Sequence, residues 1–479
     1  ASRVAPHFNA PHPVRMADNI RFTLNDDPVE LSGVSPMTTL LDWLREQRGL
    51  KGTKEGCAEG DCGACTVVLE RDGPNGQARR EAVNACIAMV GQVDGLSVRT
   101  VEGLRSADGG AHPVQTAMAE ADATQCGFCT PGFVMSAYAF AAGGETADAD
   151  AIHEALAGNL CRCTGYRPIV EAMTRIAWLA VEPPPSVPAR SASAAFDGTF
   201  FAPRSLDELL KLRKAHPEAT LLAGGTDLGL LAGHRRQPPK EIIHLAHVPD
   251  LAAIVSNKER ITLGAAVTYA QATPLLVEAY PALRPYLSRL GSRQIRNLGT
   301  IGGNVGNASP IGDMPPVLLA LEAKVTLASV RGTRELPLDD FFTGYRKTVL
   351  ASDEVILSLS MPRLWPGEVF FCDKVSKRRD QDISTVAAGY RLRIKNGRIA
   401  DVRIGFGGMA ATPRRATHVE KALLAEGFAA AAAEIPKDFQ PIDDWRGSAA
   451  YRLQVAANLL RRLELRIAQP AAVLEVEAL

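Results

Sequence analysis

Cysteines are the residues whose type and spacing could do chemistry here. The chain has 479 residues and nine cysteines, and eight of these cysteines lie between positions 57 and 163. In a long chain without an apolar secretory leader, clustered cysteines bind metal more often than they form disulfides. Thiolates suit zinc and iron–sulfur clusters. The pattern therefore predicts metal centres in the first part of the chain.

The first set of cysteines has the spacing of a plant-type [2Fe–2S] site. The run CAEGDCGAC places Cys57, Cys62 and Cys65 as C-x4-C-x2-C, and Cys86 is available as a fourth thiolate. The interleaved glycines would allow unusual backbone angles and bring N–H groups close to sulfur. The alternative is a structural zinc site, for which paired C-x2-C knuckles are more usual.

The second set is Cys126-Gly-Phe-Cys129 followed by Cys161-Arg-Cys163. Taken alone, C-x2-C plus C-x-C fits zinc about as easily as iron. Predicted helices begin just after Cys129 and at Pro168, and helix N-termini favour thiolates. Two adjacent four-thiolate sites make better sense as consecutive steps of an electron path than as two unrelated structural metals.

The elements that must position these sites follow from the hydrophobic pattern. Residues 20–101 show a mostly β pattern with one helical run, and residues 112–180 show four short helical runs. The stretch 182–195, EPPPSVPARSASAA, is typical of a linker. Alternating strands and helices follow to about 365. A hairpin at Asn396-Gly397 and an amphipathic C-terminal helix are predicted after that.

Two glycine-rich stretches after the linker could cradle a diphosphate. LLAGGTDLG (221–229) places glycines after an apolar strand, where exposed N–H groups can bind phosphate, although a plain tight turn explains it as well. RNLGTIGGNVGNASPIGDMPP (296–316) combines five glycines with polar side chains. Two such loops in one domain suit a dinucleotide. By contrast, GFGGMA (405–410) lacks the following helix that a Rossmann fingerprint needs.

Composition excludes several function classes. Lys+Arg and Asp+Glu both total 53, so the chain lacks the basic footprint of a nucleic-acid binder. No stretch approaches the roughly 18 uninterrupted apolar residues that would span a bilayer. Walker A, G-x-S-x-G and H-E-x-x-H motifs are absent, and Cys372 is expected to be a buried core thiol. These features predict a soluble, cytoplasmic protein with no membrane or nucleic-acid partner.

The motifs in order resemble one known family. C-x4-C-x2-C, then QCGFCTPG, then GNLCRCTGYRP resembles the iron–sulfur half of the molybdenum hydroxylases, which include xanthine dehydrogenases and aldehyde oxidases. LLAGGTDLG and TIGGNVGNASPIGD are similar to the two FAD loops of that family's flavin domain. FCDKVSKRRDQDIS is similar to the loop beside its isoalloxazine. The resemblance covers nearly everything after about residue 18.

The resemblance implies a multidomain α+β fold. The expected parts are a flexible leader (1–17), a β-grasp [2Fe–2S] ferredoxin domain (18–101), a four-helix [2Fe–2S] domain (102–181), the linker (182–195), an α/β FAD-binding domain of the vanillyl-alcohol-oxidase (PCMH) type (196–366) and a small C-terminal α/β flavoprotein domain (367–479).

It also implies the cofactor-binding residues. The two [2Fe–2S] clusters would be held by eight cysteines: Cys57, Cys62, Cys65, Cys86, Cys126, Cys129, Cys161 and Cys163. FAD would be held by sixteen residues: Leu221, Leu222, Ala223, Gly224, Gly225, Thr226, Asp227, Leu228, Leu290, Thr300, Gly303, Asn304, Ser309, Asp313, Ile356 and Lys374. The charged run around Arg378 is either a solvated loop or, as we favour, a loop that sets the field at the flavin and influences NAD access.

No part of the sequence resembles the family's molybdopterin-binding domains, so no residue for hydroxylation is assigned. The fused order of iron–sulfur and flavin domains resembles the small subunit of bacterial xanthine dehydrogenases. That resemblance implies a large partner chain binding molybdopterin, in a heterotetramer of two small and two large chains. Electrons would pass through the helical-domain cluster, the ferredoxin-type cluster and FAD to NAD. The alternatives are the equivalent subunit of an aldehyde or N-heterocycle hydroxylase, and a zinc-stabilised interaction protein without redox function.

Overall fold

A computed structural model of the protein describes residues 19–72, 78–105, 109–176 and 192–470, together with 472 and 474. The predicted leader and most of the predicted linker therefore lie outside the described residues. Within them the chain forms four units, which we call the ferredoxin-type, helical, flavin and C-terminal units in chain order. No helix in the described ranges is long and apolar enough to cross a membrane.

The ferredoxin-type unit is a five-stranded mixed sheet with a short helix packed on it. The sheet order is β2-β1-β5-β3-β4, with β1 and β5 parallel and the other pairs antiparallel. Its elements are β1 (Ile20–Leu24), β2 (Asp27–Leu31), α1 (Leu40–Asp42) continuing as a π-helical turn (Trp43–Gln47), β3 (Thr66–Asp72), β4 (Ala78–Asn84), a 3-10 helix (Val90–Val93), β5 (Ser97–Arg99) and a 3-10 helix (Val101–Gly103). The buried Trp43 packs edge-on against Phe22.

The helical unit contains four short helices: α2 (Pro113–Glu120), α3 (Thr130–Ala142), α4 (Ala149–Leu156) and α5 (Arg167–Ile176). α3 is apolar on nearly every side because the other helices surround it, and its Phe133 and Phe140 are fully buried. Proline opens α2 and stands in the first turn of α3, where a missing N–H costs nothing.

In the described residues, the flavin unit combines two larger sheets, a two-stranded antiparallel sheet of Phe342–Gly344 and Lys347–Thr348, and seven α-helices. The first sheet has the order β6-β7-β9-β8, and the second, antiparallel sheet has the order β10-β11-β16-β12-β13. Its strands are β6 (Ala194–Phe196), β7 (Phe200–Ala202), β8 (Thr220–Leu222), β9 (Ile242–His244), β10 (Ile254–Ser256), β11 (Arg260–Gly264), β12 (Lys324–Ser329), β13 (Gly332–Pro337), β14 (Phe342–Gly344), β15 (Lys347–Thr348) and β16 (Val355–Pro362). Its helices are α6 (Leu206–Ala215), α7 (Gly229–Ala232), α8 (Tyr269–Ala279), α9 (Leu283–Ser288), α10 (Arg293–Leu298), α11 (Ile301–Gly306) and α12 (Met314–Ala320), with short 3-10 helices at Pro249–Ala252 and Leu338–Asp340.

The C-terminal unit is a four-stranded antiparallel meander covered by helices. Its elements are β17 (Glu368–Val375), β18 (Val386–Lys395), β19 (Arg398–Gly407), β20 (Arg414–Arg415), α13 (Thr417–Ala425), α14 (Phe428–Ala433), α15 (Ile435–Asp438) and α16 (Ala449–Ala468). Asn396 and Gly397 both have positive φ, 50° and 74°, as the predicted two-residue hairpin turn requires. The amphipathic helix predicted at the C-terminus is α16.

These four units confirm the predicted multidomain α+β fold. One detail of the linker differs, because Ala194 and Ala195 belong to β6 rather than to an extended linker. Both side chains are buried, and β6 pairs antiparallel with β7, so these two residues are part of the first sheet of the flavin unit. One hydrophobic cluster combines Leu40 and Trp43 of the ferredoxin-type unit with Phe200 of the flavin unit, so these two units share a core.

Candidate cofactor sites

The first four predicted cysteines lie together, and we call them the inner site. Three of them come from the loop before β3, and Cys86 follows β4. The Cys57 thiol contacts those of Cys62 and Cys86, and the Cys65 thiol contacts that of Cys86. Cys65 and Cys86 are buried, whereas the other two are half-buried. The inner site is therefore enclosed at one end.

Backbone N–H groups surround the sulfur atoms of the inner site. Three of them donate to Cys57 Sγ over 3.3–3.4 Å, and that of Gly60 donates to Cys86 Sγ over 3.2 Å. The loop can wrap around sulfur in this way because Ala58, Gly60 and Gly63 have positive φ. Contacts from Cys62 and Cys86, and then the N–H donors, lower the pKa of Cys57 against the effect of burial. Contacts from Cys57 and Cys65, and then burial, raise the pKa of Cys86.

The remaining four clustered cysteines form the outer site. The Cys126 thiol contacts that of Cys163, and the Cys129 thiol contacts that of Cys161. Cys126 and Cys163 are exposed to solvent. Burial disfavours the Cys161 thiolate, but the hydroxyl and N–H of Thr164, at 3.1 and 3.4 Å, outweigh it and hold the pKa of Cys161 below its ordinary value.

The thiols of the two sites are connected differently. The outer site has two separate pairs, whereas the inner site has one chain of contacts from Cys62 through Cys57 and Cys86 to Cys65. In the described residues, no three His, Cys, Asp or Glu side chains lie close enough together to hold a single metal ion. A [2Fe–2S] cluster takes four protein thiolates, two on each of its irons, and each site brings four thiols close together. N–H groups aimed at sulfur also suit such a cluster, since hydrogen bonds to sulfur tune its potential.

The loops of the two sites touch each other directly. The N–H of Leu160, next to Cys161, donates to the carbonyl oxygen of Cys62 over 2.9 Å. A Cβ on Gly63 would lie 2.0 Å from the carbonyl oxygen of Gly158, so only glycine allows the two backbones to approach this closely. The inner and outer sites are thus joined through one backbone hydrogen bond.

A cavity of about 410 Å³ lies in the flavin unit between its two glycine loops. A Cβ on Gly224 would lie 1.7 Å from the carbonyl oxygen of Leu298, which shows how tightly the loops pack. Twelve of the sixteen predicted FAD contacts line this cavity: Leu221, Ala223, Gly224, Gly225, Thr226, Asp227, Leu228, Leu290, Thr300, Gly303, Asn304 and Ile356.

A smaller cavity of about 240 Å³ adjoins the first and shares Leu290, Ile295 and Asn304 with it. Two more predicted residues, Asp313 and Lys374, line it, and Lys374 Nζ donates to Asp313 Oδ2 over 2.6 Å. Its wall also includes Gly60, from the inner site. The flavin cavities therefore extend to the loop that carries Cys57 and Cys62.

Two predicted contacts do not reach either cavity. Leu222 is fully buried in the core on β8, because successive side chains of a strand point to opposite faces. Ser309 instead accepts a hydrogen bond from the N–H of Ile311. The charged loop contributes Gln381 to the smaller cavity, but the side chain of Arg378 is 56% exposed.

Sequence reasoning missed Tyr269 in this region. Tyr269 lines the larger cavity from α8, its hydroxyl is fully buried without a hydrogen-bond partner, and burial raises its pKa well above the usual value. The Oδ1 atom of Asn304 is likewise buried and unpartnered. A lone tyrosine in a helix gives no local indication of this role. Unpartnered polar atoms beside a glycine-lined cavity fit a polar cofactor such as FAD.

Four family profiles match the chain in the order of its units. The 2Fe-2S iron–sulfur cluster binding domain matches residues 22–91, and a [2Fe-2S] binding domain matches 100–174. The FAD binding domain in molybdopterin dehydrogenase matches 194–364, and the CO dehydrogenase flavoprotein C-terminal domain matches 372–467. Both cysteine sets fall within [2Fe–2S] profiles, which favours iron over the zinc alternative.

Individual relatives agree with the profiles. The xanthine dehydrogenase/oxidase of Gallus gallus is 32% identical over 486 residues, which is 84% of this chain and 36% of that protein. The chain thus spans about a third of the length of the curated relatives it matches. A carbon monoxide dehydrogenase chain from Hydrogenophaga pseudoflava is 29% identical, with a TM-score of 0.53 over 55% of this chain and 94% of its own. A chain of quinoline 2-oxidoreductase from Pseudomonas putida 86 is 28% identical, with a TM-score of 0.53 over 58% of this chain and 99% of its own.

The relatives, the profiles and the geometry therefore agree on two [2Fe–2S] centres and an FAD site. The chain belongs to the molybdenum hydroxylase family of oxidoreductases, of which it carries the electron-transfer domains.

Proposed function

We propose that this chain relays electrons from a molybdenum centre on a partner chain, through the outer and then the inner site, to FAD and NAD. When bound, the clusters would carry single electrons, and FAD would take two and release a hydride. One observation carries the proposal: the inner loop touches both neighbours. Leu160 of the outer loop donates to Cys62, and Gly60 lines the smaller flavin cavity.

The outer site is the place where electrons would arrive. Cys126 and Cys163 are exposed, so this site meets the surface of the chain. Large apolar side chains of the helical unit are also exposed around it: Phe128, Leu160, Tyr166 and Val170, at 38–48% exposure. An exposed apolar patch marks a protein interaction site, and we assign this one to the molybdopterin-binding partner.

The eight cysteines would hold the clusters as thiolates, and the fourteen cavity-lining residues predicted from the sequence would hold FAD. Backbone N–H groups of the glycine loops suit a diphosphate, so we assign the larger cavity to the nucleotide part of FAD. The smaller cavity would then take the reactive ring, beside the inner loop. Lys374 is buried there and bonded to Asp313, whose other oxygen accepts from Ser384 over 2.6 Å. These three side chains hold one another in place at the ring end.

We further propose that the complete enzyme is a xanthine dehydrogenase, oxidising hypoxanthine and xanthine to urate with NAD, as a heterotetramer of two small and two large chains. The similarity to xanthine dehydrogenases over 84% of this chain supports this substrate class. A second candidate is the equivalent subunit of an N-heterocycle hydroxylase, which the match to quinoline 2-oxidoreductase favours. The domain division given by the sequence analysis is part of this proposal.

Purification of the native complex through a tag on this chain would separate these candidates. We expect a molybdenum-containing partner to co-purify, and the complex to form urate from xanthine with NAD as acceptor. Oxidation of quinoline without urate formation would favour the second candidate. A chain that purifies without any molybdenum partner would contradict the assigned docking face.

Anaerobic titration with NADH tests the relay within the chain itself. Hydride transfer in the reverse direction should bleach the flavin absorbance first and the iron–sulfur absorbance afterwards. Reduction by dithionite but not by NADH would show that NAD is not the acceptor. Bleaching of the flavin alone would show that the flavin and the clusters do not exchange electrons.

A further inference from the structure

One short helix of the flavin unit reaches into both iron–sulfur units. Arg296 of α10 donates from Nη2 to Oε1 of Glu154 in the helical unit over 2.6 Å. Asn297 of α10 reaches the ferredoxin-type unit, where its Nδ2 donates to the carbonyl oxygen of Ala82 over 2.8 Å. Gly299, the residue directly after α10, lines the larger flavin cavity. This helix is therefore the place where all three units meet.

Gln294 of α10 is the centre of a buried polar network. Its Nε2 atom lies 3.0 Å from Asn159 Oδ1, 3.2 Å from Ser136 Oγ and 3.4 Å from Thr66 Oγ1. Asn159 in turn donates from Nδ2 to the carbonyl oxygen of Gly63 over 3.0 Å. The four side chains that form the network are at most 2% exposed. A buried network of this kind restricts the arrangements of its members, although Gln294 Oε1 itself has no hydrogen-bond partner among the described residues.

The partners of Gln294 belong to the loops and the helix that carry the cysteines. Thr66 follows Cys65 of the inner site directly, and Asn159 lies two residues before Cys161 of the outer site. Ser136 lies on α3, the helix that begins immediately after Cys129. The amide of Gln294 thus bonds to residues that lie close in sequence to both sets of cysteines.

The packing around the amide leaves no room for adjustment. A Cβ on Gly158 would lie 1.9 Å from Gln294 Oε1, so the backbone of the outer loop rests against the amide. Gly132, at the start of α3, approaches Gly63 just as closely, since its Cβ would lie 2.3 Å from the Gly63 carbonyl oxygen. The two cysteine loops and the start of α3 therefore converge around Gln294.

We propose that Gln294 is a positioning residue that fixes the separation of the two iron–sulfur clusters. This inference rests on the proposed function, because it needs a cluster at each site. The amide contacts neither set of cysteines, and it acts by holding Thr66 and Asn159 in a fixed relation. Transfer of an electron between two centres slows steeply with distance, so this residue controls the rate of electron transfer from the outer to the inner cluster.

Gln294→Met in the full iron- and flavin-loaded chain tests the proposal. Methionine keeps the length of the side chain but removes its donors. We expect the magnetic interaction between the two reduced clusters, measured by EPR after dithionite reduction, to weaken several-fold while iron and flavin contents stay at the wild-type level. The matched control is Gln454→Met, which removes an exposed amide of α16 that is bonded to Asn458. It should leave the spectrum unchanged.

An unchanged interaction in iron-replete Q294M overturns the proposal, as does a wild-type protein with both clusters reduced and no interaction between them. If Q294M loses iron, Ser136→Ala is measured in the same way, because it removes one partner of the amide. Loss of iron in both variants would show that the network holds the clusters rather than spacing them, which also overturns the proposal. Wild-type protein without iron would instead refute the proposed function.

Discussion

The inner and outer sites use the same ligands in opposite surroundings. Both present four neighbouring thiols, yet Cys65 and Cys86 of the inner site are each 2% exposed, whereas Cys126 and Cys163 of the outer site are open to solvent. The two sites therefore have the same ligands and differ in their exposure to solvent. An enclosed centre can exchange electrons only with neighbours inside the chain, while an exposed centre can also exchange them with a second protein.

Glycines of the flavin unit enclose the inner site. A Cβ on Gly229 of α7 would lie 2.0 Å from the carbonyl oxygen of Ile87, and one on Gly233 would lie 2.4 Å from that of Cys86. Gly229, at the start of α7, and Gly233, just after α7, therefore lie against the turn that carries Cys86, the fourth ligand. Burial of the inner site depends on the flavin unit, so the two halves of the chain must fold together.

Removing an inner ligand should produce the largest difference between the sites. We expect Cys86→Ser to lose the inner cluster, so that iron falls by about half, because a [2Fe–2S] cluster needs four protein ligands. The outer cluster should remain visible by EPR but should no longer be reduced by NADH. Cys372→Ser is the matched control, since Cys372 is a buried thiol that donates to the carbonyl oxygen of Ala282. Reduction of the outer cluster by NADH in C86S would contradict the proposed order of electron transfer.

Chelation should remove the clusters in the order of their exposure. We expect iron of the outer site to be lost first when the oxidised protein is incubated with a strong chelator, because Cys126 and Cys163 face water. The EPR signals of the two reduced clusters, followed over time, measure this order. Equal rates of loss would mean that the flavin unit does not protect the inner site.

Blocking the larger cavity should empty the flavin site while leaving both clusters in place. The Cβ of Gly224→Ala would lie 1.7 Å from the carbonyl oxygen of Leu298, so one glycine loop must move. Overpacking of this kind costs about 1–3 kcal/mol, and we expect FAD affinity to fall by up to roughly 100-fold. Quenching of FAD fluorescence on binding measures the affinity. Gly344→Ala, where the nearest atom lies at 3.9 Å, is the control, and a similar loss in G344A would contradict this account.

Acid should reduce the protection of the inner site, with the smallest effect of the four. His247 lies between the ferredoxin-type and flavin units, and burial, followed by the nearby Arg204 and Arg71, lowers its pKa to about 3. An unfolded histidine titrates near pH 6.5, so below that value the unfolded chain binds a proton that the folded chain does not. The contribution of His247 to the free energy of unfolding is complete above about pH 6.5, and this contribution should fall by about 2 kcal/mol at pH 5.

Urea unfolding at pH 7.5 and pH 5 measures this loss, and the chelation experiment repeated at both values shows whether the inner site loses its advantage. His247→Asn should reduce the dependence on pH, with the part due to the lowered pKa of the neighbouring buried His244 remaining, whereas the same change at the exposed His234 should not reduce it. An unaltered pH dependence in H247N would exclude His247 as the cause.

The sequence predicted what local spacing encodes. Cysteine spacing identified both sites, and Asn396-Gly397 located the hairpin between β18 and β19. Contacts between distant segments were not predictable, because no local pattern marks them. Gln294 reaches Thr66 across 228 positions, and only the fold brings them together. Carrying over a contiguous motif also included Leu222, whose side chain points into the core rather than the cavity.

The visible absorption spectrum of the purified wild-type chain, with iron, zinc and flavin assayed on the same sample, tests the central claim most directly. A relay of two [2Fe–2S] clusters and one flavin predicts a brown protein with about four irons and one FAD per chain. A colourless protein containing zinc in place of iron, without flavin, would contradict it.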